Sequence, residues 1–105
     1  AVRELQPDFS ALEQVECRGT IVTSKGSQSD FVSRFFAPRL GVPEDPVTGS
    51  AHCVLIPYWA NELRKKNLHA FQISNRGGEL FCVYAGDRVK ISGNAALYLE
   101  GVITI

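Results

Sequence analysis

The strongest hydrophobic pattern in the chain lies in its middle, directly after a short polar stretch. The apolar residues there are Cys53, Val54, Leu55, Ile56, Tyr58, Trp59 and Leu63. They cover more than one face of a helix, and a helix that is apolar nearly all round is typically buried. The pattern therefore predicts a central buried helix from Gly49 or Ser50 to Lys66, with Cys53 in the core. Pro57 removes the amide that would bond the carbonyl of Cys53, so we expect a kink or a bound water there.

Shorter patterns on both sides of this helix predict strands. β-Branched residues favour strands at residues 18–24 and 30–37, and the polar turn between them makes the pair a hairpin. Residues 7–14 are typical of a short helix, and residues 39–48 of a loop. After the central helix, alternation predicts strands at residues 70–75, 79–84, 87–92 and 95–105. Together these elements predict an α+β domain, a largely antiparallel β-sheet or barrel wrapped around one central buried α-helix.

The polar stretch before the central helix has an ordinary structural interpretation. Pro46 fixes a turn, because proline sets its own φ and keeps Asp45 out of the helical region. Thr48, Gly49 and Ser50 are residue types that begin helices, through hydroxyl caps and a glycine without a side chain. A capped helix start explains all of them, and such caps are far commoner than active sites.

The same helix start also has a chemical interpretation. The first N–H groups of a helix lack internal partners and carry the positive end of the helix dipole, so they suit an anion. Gly49, Ser50 and Ala51 would present these amides without bulky side chains. Asp45 and Glu44 lie a few residues upstream, within reach of the same ligand. A carboxylate beside a carboxylate-binding helix start suits proton transfer on a small acid.

The composition limits the function classes. The 105 residues suffice for one domain with one core. A formal net charge of zero gives no electrostatic case for nucleic acid or an anionic membrane. No apolar run approaches the ~20 residues of a membrane span, and no signal peptide is visible. Cys17, Cys53 and Cys82 lack the spacing of metal ligands, and we interpret them as reduced, buried thiols of a cytoplasmic protein.

Several motifs resemble the phenazine-biosynthesis-like (PhzF-like) isomerase family. They are the run from Arg34 to Pro38, the stretch EDPVTGSAH from Glu44 to His52, Pro57-Tyr58-Trp59, Arg76-Gly77-Gly78-Glu79-Leu80 and the run from Gly86 to Gly93. Their order and spacing extend the resemblance over essentially the whole chain, and EDPVTGSAH is its most specific part.

The resemblance implies a diaminopimelate epimerase-like fold of two similar domains, each a sheet around a central helix, with the active site between them. The reaction it implies is a cofactor-free proton transfer that isomerises a small carboxylic acid. On the matching positions, Asp45 is an active-site polar residue, and Gly49-Ser50 contact the substrate carboxylate. Together with the helix start, this makes Asp45 the expected catalytic residue and Thr48, Gly49, Ser50, Ala51 and His52 the expected substrate-binding residues. No metal is expected.

The resemblance covers only the C-terminal of the two domains. Residues 1–105 would then form one domain, whose partner is the N-terminal domain of the same protein or a second copy in a homodimer. In the family, a glutamate of the N-terminal domain does most of the acid/base work. This chain has no counterpart of that glutamate, so it supplies one wall of the active site.

Two other function classes stay open from the residues: a hot-dog-like thioesterase, and a non-catalytic fragment or interaction domain. Lesser candidates have structural explanations beside the functional ones. We expect His69 at the surface, a β-bulge at the Gly77-Gly78 pair, and Arg34 as an edge charge reaching solvent. Tyr58 and Trp59 are more simply core residues than a ligand platform. His52 suits a ligand contact and a hydrogen-bonded core histidine equally well.

Overall fold

The computed structural model describes all residues from Ala1 to Ile105. A sheet of six strands packs against one long helix, α2, which spans Gly49–Leu63. The strands are β1 Thr20–Lys25, β2 Phe31–Ala37, β3 Val42–Asp45, β4 Asn67–Gln72, β5 Gly78–Ala85 and β6 Arg88–Ser92. They run in the order β1-β2-β4-β5-β6, with β3 paired to β2. All pairs are antiparallel except β2 with β4, which confirms the α+β class and the largely antiparallel sheet.

Strand β2 has one edge divided between two partners. Its first residues, Phe31 to Ser33, pair in parallel with β4, and Phe35 to Ala37 pair antiparallel with β3. The predicted β1–β2 hairpin is confirmed. The predicted loop at residues 39–48 is wrong in part, because a 3₁₀ turn at Pro38–Leu40 and β3 occupy most of it. A four-residue strand with a proline and two acids carries no alternation, so only its pairing with β2 defines it.

Helix α2 is buried on one side only. Its buried residues are Ala51, His52, Leu55, Ile56, Trp59 and Ala60. On the other side Val54 and Tyr58 are 63% and 53% exposed, and Cys53 is exposed as well. The expectation of a helix buried all round, with Cys53 in the core, is therefore wrong for these residues, because the six strands cover one side of the helix. The core expectation for Tyr58 is wrong for the same reason, and that for Trp59 is confirmed.

The ends of α2 differ from the expectation by a few residues. The helix begins at Gly49, as predicted, and ends at Leu63 rather than Lys66. Arg64 adopts the left-handed conformation, with φ 54° and ψ 47°, and this conformation ends the helix. Pro57 lies within the helix, which continues through it.

The core lies between α2 and the inner face of the sheet. Trp59 stacks on Phe31 with ring centroids 5.8 Å apart, and its indole N–H donates to the Thr23 hydroxyl at 3.0 Å. Cys82 is buried in β5, and this burial raises the pKa of its thiol to about 11. Cys17 and Cys53 are exposed, so the expectation of three buried thiols holds for Cys82 alone.

The N-terminal segment covers part of the outer face of the sheet. Helix α1 spans Phe9–Glu13, within the predicted range, and the Asp8 carboxylate caps it by accepting from the Ala11 amide at 3.1 Å. Phe9 packs edge-on against Phe36 of β2. None of the helices has the length and the apolar composition that a membrane-spanning segment needs.

The C-terminal end of the chain departs most from expectation. After β6 ends at Ser92, residues 93–105 form no strand, turn or bend. The strand predicted at residues 95–105 is therefore wrong within this chain, because no strand of its own sheet pairs with it. The side chains that were expected to pack on one face, Leu97, Leu99, Ile103 and Ile105, are exposed.

Candidate functional site

The predicted active-site turn connects β3 to α2. Strand β3 ends at Asp45, and Thr48 precedes α2 in an extended conformation, with φ −120°. The Thr48 hydroxyl donates to Oδ2 of Asp45 at 2.5 Å, so it caps none of the first amides of the helix. The structure thus brings Asp45 next to the helix N-terminus and leaves that N-terminus without a side-chain cap.

A buried glutamine that the sequence analysis missed holds this turn. Gln72, at the end of β4, is 1% exposed. Its Oε1 accepts from the Thr48 amide at 2.7 Å, and its Nε2 donates to the Asp45 carbonyl at 2.9 Å and to the Thr48 hydroxyl at 3.1 Å. Because the Thr48 hydroxyl accepts from Gln72, its own proton is directed at the Asp45 carboxylate.

The first turn of α2 divides into an open half and a buried half. Gly49 and Ser50 are exposed, and a Cβ built on Gly49 would meet nothing within 4 Å. Ala51 and His52 lie in the buried face of the helix. A ligand therefore has direct access to the helix start at Gly49 and Ser50, while the side chains of Ala51 and His52 face the core.

The surroundings of His52 are those of a core histidine. The ring is fully buried, and its Nδ1 lies 2.7 Å from the Thr48 carbonyl oxygen. A carbonyl can only accept, so Nδ1 carries the proton and Nε2 is an acceptor, which has no hydrogen-bond partner. Burial lowers the pKa of His52, outweighing the hydrogen bond to Thr48, which raises it. Of the two interpretations of His52, this geometry favours the structural one.

Glu44 does not join Asp45 at the helix start. The two are consecutive residues of β3, so their side chains point to opposite faces of the sheet. Both carboxylate oxygens of Glu44 accept from Arg34 at 2.9 Å. Arg34 also donates to the carbonyls of Val2 and Leu5, at 3.1 and 2.6 Å. The expectation of Arg34 as a solvent-reaching edge charge is wrong, because its side chain is 12% exposed and ties the N-terminal segment to β3.

Of the remaining candidates, the Gly77-Gly78 pair packs against this turn, since the Ser74 hydroxyl donates to the Pro46 carbonyl at 2.9 Å and Gly78 lies against Val47. His69 is partly exposed and bonds Glu79 at 2.8 Å. Gly77 adopts a positive φ of 78° in the bend before β5, with its amide held by the Ser74 hydroxyl. A cleft of about 460 Å³ lies at this bend, and its charged lining residues are Arg3 and Arg76. No group of three or more His, Cys, Asp or Glu side chains is close enough to hold a metal ion.

The fold and the turn between β3 and α2 define a class of protein. The sequence profile of the family described as phenazine biosynthesis-like protein (PhzC-PhzF) matches residues 1–101. The chain belongs to this family.

Named relatives agree with this class. An uncharacterized isomerase of Pseudomonas aeruginosa is 60% identical over 105 residues, which are the whole of this chain and 40% of the relative. The human phenazine biosynthesis-like domain-containing protein is 54% identical, over 98% of this chain and 40% of its own. The chain thus spans about 40% of the length of the curated relatives it matches. Neither of these relatives is named a thioesterase.

Solved structures agree as well. The crystal structure of a PhzF family protein from Enterococcus faecalis superposes with a TM-score of 0.89 at 49% identity, over 93% of this chain and 38% of that protein. A PhzC/PhzF protein from Clostridium difficile superposes with a TM-score of 0.87 at 47% identity, over 99% and 40%. The sheet and its central helix therefore have the fold of the matching part, about 40%, of these PhzF-family proteins.

Proposed function

We propose that this chain supplies one wall of the active site of a PhzF-type isomerase, which moves a proton on a small carboxylic acid without a cofactor. The observation that carries the proposal is the carboxylate of Asp45 beside an uncapped and accessible helix N-terminus. Membership of a family whose relatives include named isomerases supports the reaction class.

In this proposal, the substrate carboxylate binds at Gly49 and Ser50. The positive end of the helix dipole favours an anion there, and each exposed contact of this kind contributes ~0.3–1 kcal/mol. The hydroxyl of Ser50 adds a donor, since the hydroxyl of Thr48 is already bonded to Asp45. The amide of Ala51 completes the donor set. His52 holds the first turn of the helix through the Thr48 carbonyl rather than touching the substrate.

Asp45 then relays a proton at the substrate. It accepts a hydrogen bond from the Thr48 hydroxyl, which holds the carboxylate in place to take a proton from the reacting acid. The principal acid/base group comes from the opposite wall, and the resemblance assigns that wall to an N-terminal domain carrying a glutamate. The partner is therefore the remainder of a longer protein, or a second copy of this chain, and the compartment we propose is the cytoplasm.

Binding at the helix start is testable on this chain alone. Titration with benzoate, followed by amide NMR, should shift the signals of residues 49–52, with weak millimolar affinity because one wall does not exclude water. Gly49→Val places branched carbons over the amides, in space that is open in the structure, so it should abolish these shifts and leave the fold intact. The matched control is Gly101→Val, also in open space, which should bind as the parent does. Shifts confined to other residues would refute the carboxylate site.

The role of Asp45 is testable in a complete two-domain protein that contains this chain. Asp45→Asn should slow proton exchange of the substrate with solvent by about 10²-fold or more, because the amide cannot take up a proton. Deuterium incorporation into candidate small carboxylic acids, read by NMR, measures this rate. Asp87→Asn, at an exposed turn position, is the matched control and should leave the rate unchanged. A near-parental rate for Asp45→Asn would remove Asp45 from the catalytic set.

A further inference from the structure

Gln72 brings a buried amide group from the middle of the sheet to the β3–α2 turn. Its strand, β4, lies between β2 and β5, so the backbone of Gln72 pairs with Ser33 on one side and with Gly78 on the other. The next amide, that of Ile73, donates to the Ser33 carbonyl at 2.8 Å. With its backbone paired on both sides and its side chain buried, Gln72 is a rigid point from which to hold the turn.

Two backbone groups of the turn fix the direction in which the amide of Gln72 points. The Thr48 N–H can only donate, so the atom 2.7 Å from it is Oε1. The Asp45 carbonyl can only accept, so the atom 2.9 Å from it is Nε2. The opposite orientation would set donor against donor and acceptor against acceptor. The second proton of Nε2 is therefore available to the Thr48 hydroxyl oxygen, 3.1 Å away.

A directed chain of hydrogen bonds runs from this amide to the carboxylate of Asp45. The Thr48 hydroxyl accepts from Nε2 of Gln72 and donates its only proton to Oδ2 of Asp45, at 2.5 Å. Consecutive hydrogen bonds that point the same way polarise and strengthen one another. The side chain of Thr48 is committed to this chain, because it makes no hydrogen bond to the first amides of α2.

The two carboxylate oxygens of Asp45 are therefore in different situations. Oδ2 is held by Thr48, whereas Oδ1 takes part in none of the hydrogen bonds of the turn. Nε2 of His52 is the only buried side-chain nitrogen or oxygen without a partner, so Oδ1 is not buried and solvent reaches it. Gly49 and Ser50, at the start of α2, are exposed as well. Oδ1 is thus the oxygen of Asp45 that is open to a ligand.

We propose that Gln72 and Thr48 are positioning residues of the isomerase site, which hold Oδ2 of Asp45 so that Oδ1 is the atom that takes the proton from the substrate. The proton leaves a C–H bond of the substrate, the electron pair of that bond stays on the substrate, and an O–H bond forms at Oδ1. The reverse transfer restores the carboxylate, and Thr48 keeps its own proton throughout. This inference rests on the proposed function, and it gives Thr48 a positioning role in place of the expected contact with substrate.

The positioning itself is testable in this chain without a substrate. The three-bond couplings between Hα and the two Hβ protons of Asp45, read by NMR, should be those of one χ1 rotamer. Thr48→Val removes the hydroxyl but keeps the branched shape that suits the extended backbone, so the couplings should move to averaged values. Thr48→Ser should restore the single rotamer. Gln72→Glu keeps an acceptor for the Thr48 amide and loses the donor, so it should also average the couplings, because the hydroxyl proton can then turn to the new carboxylate.

The consequence for the reaction is testable in a complete two-domain protein that contains this chain. The measured rate is deuterium incorporation into the small carboxylic acid that the parent protein exchanges fastest. Thr48→Val should lower kcat by about 10-fold or more, because a misplaced reacting group is costly, and should change KM by about twofold at most. Thr48→Ser should recover most of the lost kcat.

Thr23→Val is the matched control for the loss of a structural hydroxyl. The Thr23 hydroxyl also links two partners, since it accepts from the indole N–H of Trp59 and donates to the Val32 carbonyl at 2.7 Å. Thr23→Val should therefore lower the Tm. It should leave kcat and the couplings of Asp45 unchanged, because Thr23 belongs to the core between β1 and α2 rather than to the turn.

The outcomes separate this inference from the proposed function. Couplings of Asp45 that stay at one rotamer in Thr48→Val would overturn the positioning roles, even if Asp45→Asn is inactive. The same conclusion would follow if Thr48→Ser lost as much kcat as Thr48→Val, or if Thr23→Val lost as much. A parental rate for Asp45→Asn would refute the proposed function and, with it, the role of Oδ1. If Gln72→Glu does not fold, the Thr48 variants decide the question by themselves.

Discussion

Single residues around the β3–α2 turn carry roles that depend on distant parts of the chain. Asp45 owes its position to Thr48, three residues away, and to Gln72, which lies 27 positions later in the sequence. Gln72 is buried, with its oxygen and nitrogen both engaged at the turn. Buried hydrogen bonds of this kind hold a side chain in one geometry because leaving any partner unpaired is costly. The proposed catalytic carboxylate is thus positioned by the end of β4 as much as by its own loop.

The buried His52 predicts a dependence of stability on pH. Burial lowers the pKa of His52 below its ordinary value of 6.5, so the unfolded chain binds more protons than the folded one as the pH falls below that value. The stability contributed by neutral His52 is therefore complete above about pH 6.5 and is lost as the pH falls towards its folded pKa, by at most ~1.4 kcal/mol per pH unit.

Urea unfolding at pH 7.5 and pH 5.5 measures this effect. His52→Asn keeps a donor for the Thr48 carbonyl and cannot titrate, so the difference between the two pH values should shrink in this variant, whatever its absolute stability. If the free energy of unfolding of His52→Asn differs between pH 7.5 and pH 5.5 as much as that of the parent, the pH dependence belongs to other groups.

At the scale of elements, α2 shows how the two ends of one helix are determined by different features. Its start follows from local residue types, because Pro46 and Gly49 restrict or release the backbone wherever they occur. Its end at Leu63 is followed by Arg64, a residue type with no preference for the left-handed conformation it adopts there. Asp30 accepts from Lys65 at 2.8 Å and from the His69 amide at 2.7 Å. These hydrogen bonds lower the pKa of Asp30 against the opposing effect of its burial, and they hold the chain that leaves the helix.

Arg64 provides a prediction at this scale. Arg64→Gly should stabilise the chain by about 1 kcal/mol, because glycine adopts a positive φ without the clash that a Cβ makes there. Thermal unfolding should show a rise in Tm of about 4–8 °C for a domain of this size. The matched control is Lys66→Gly, two residues on, where φ is not positive and glycine should lower the Tm. A fall in Tm for Arg64→Gly would mean that its side chain stabilises the helix end more than its backbone strains it.

At the scale of the whole molecule, the chain leaves two apolar surfaces open. One is the outer face of α2, with Val54 and Tyr58, and the other is formed by residues 95–105 at the C-terminal end. Exposed apolar surfaces of this extent usually mark sites that another protein surface covers. The chain spans about 40% of the length of these relatives.

The isolated chain should therefore self-associate, most simply as a two-fold dimer that covers the outer face of α2. Light scattering at high concentration should give a mass near twice 11.5 kDa. Val54→Lys should shift the equilibrium towards the monomer, because a charge would be buried in the contact. Glu13→Lys, exposed on α1 and away from the outer face of α2, is the matched control and should leave the mass unchanged. A strictly monomeric mass at high concentration would contradict the prediction.

The sequence by itself determined the parts of this protein that depend on neighbouring residues. The β1–β2 hairpin, the start of α2 at Gly49 and the fold class follow from periodicity, from Pro46 and from turn residues, whose effects act over a few positions. The stretch from Glu44 to His52 was also enough to recognise the family and to locate the candidate site.

Only the tertiary structure decided which side chains meet. The pairing of Arg34 with Glu44, the hold of Gln72 on Asp45 and the existence of β3 depend on strand register between distant segments, which local patterns do not encode. The sequence also did not predict that Cys53 and the apolar residues of 95–105 are exposed. An apolar pattern shows that one face of an element favours burial, because contact between apolar side chains and water is unfavourable. Only the surrounding structure determines whether another element covers that face.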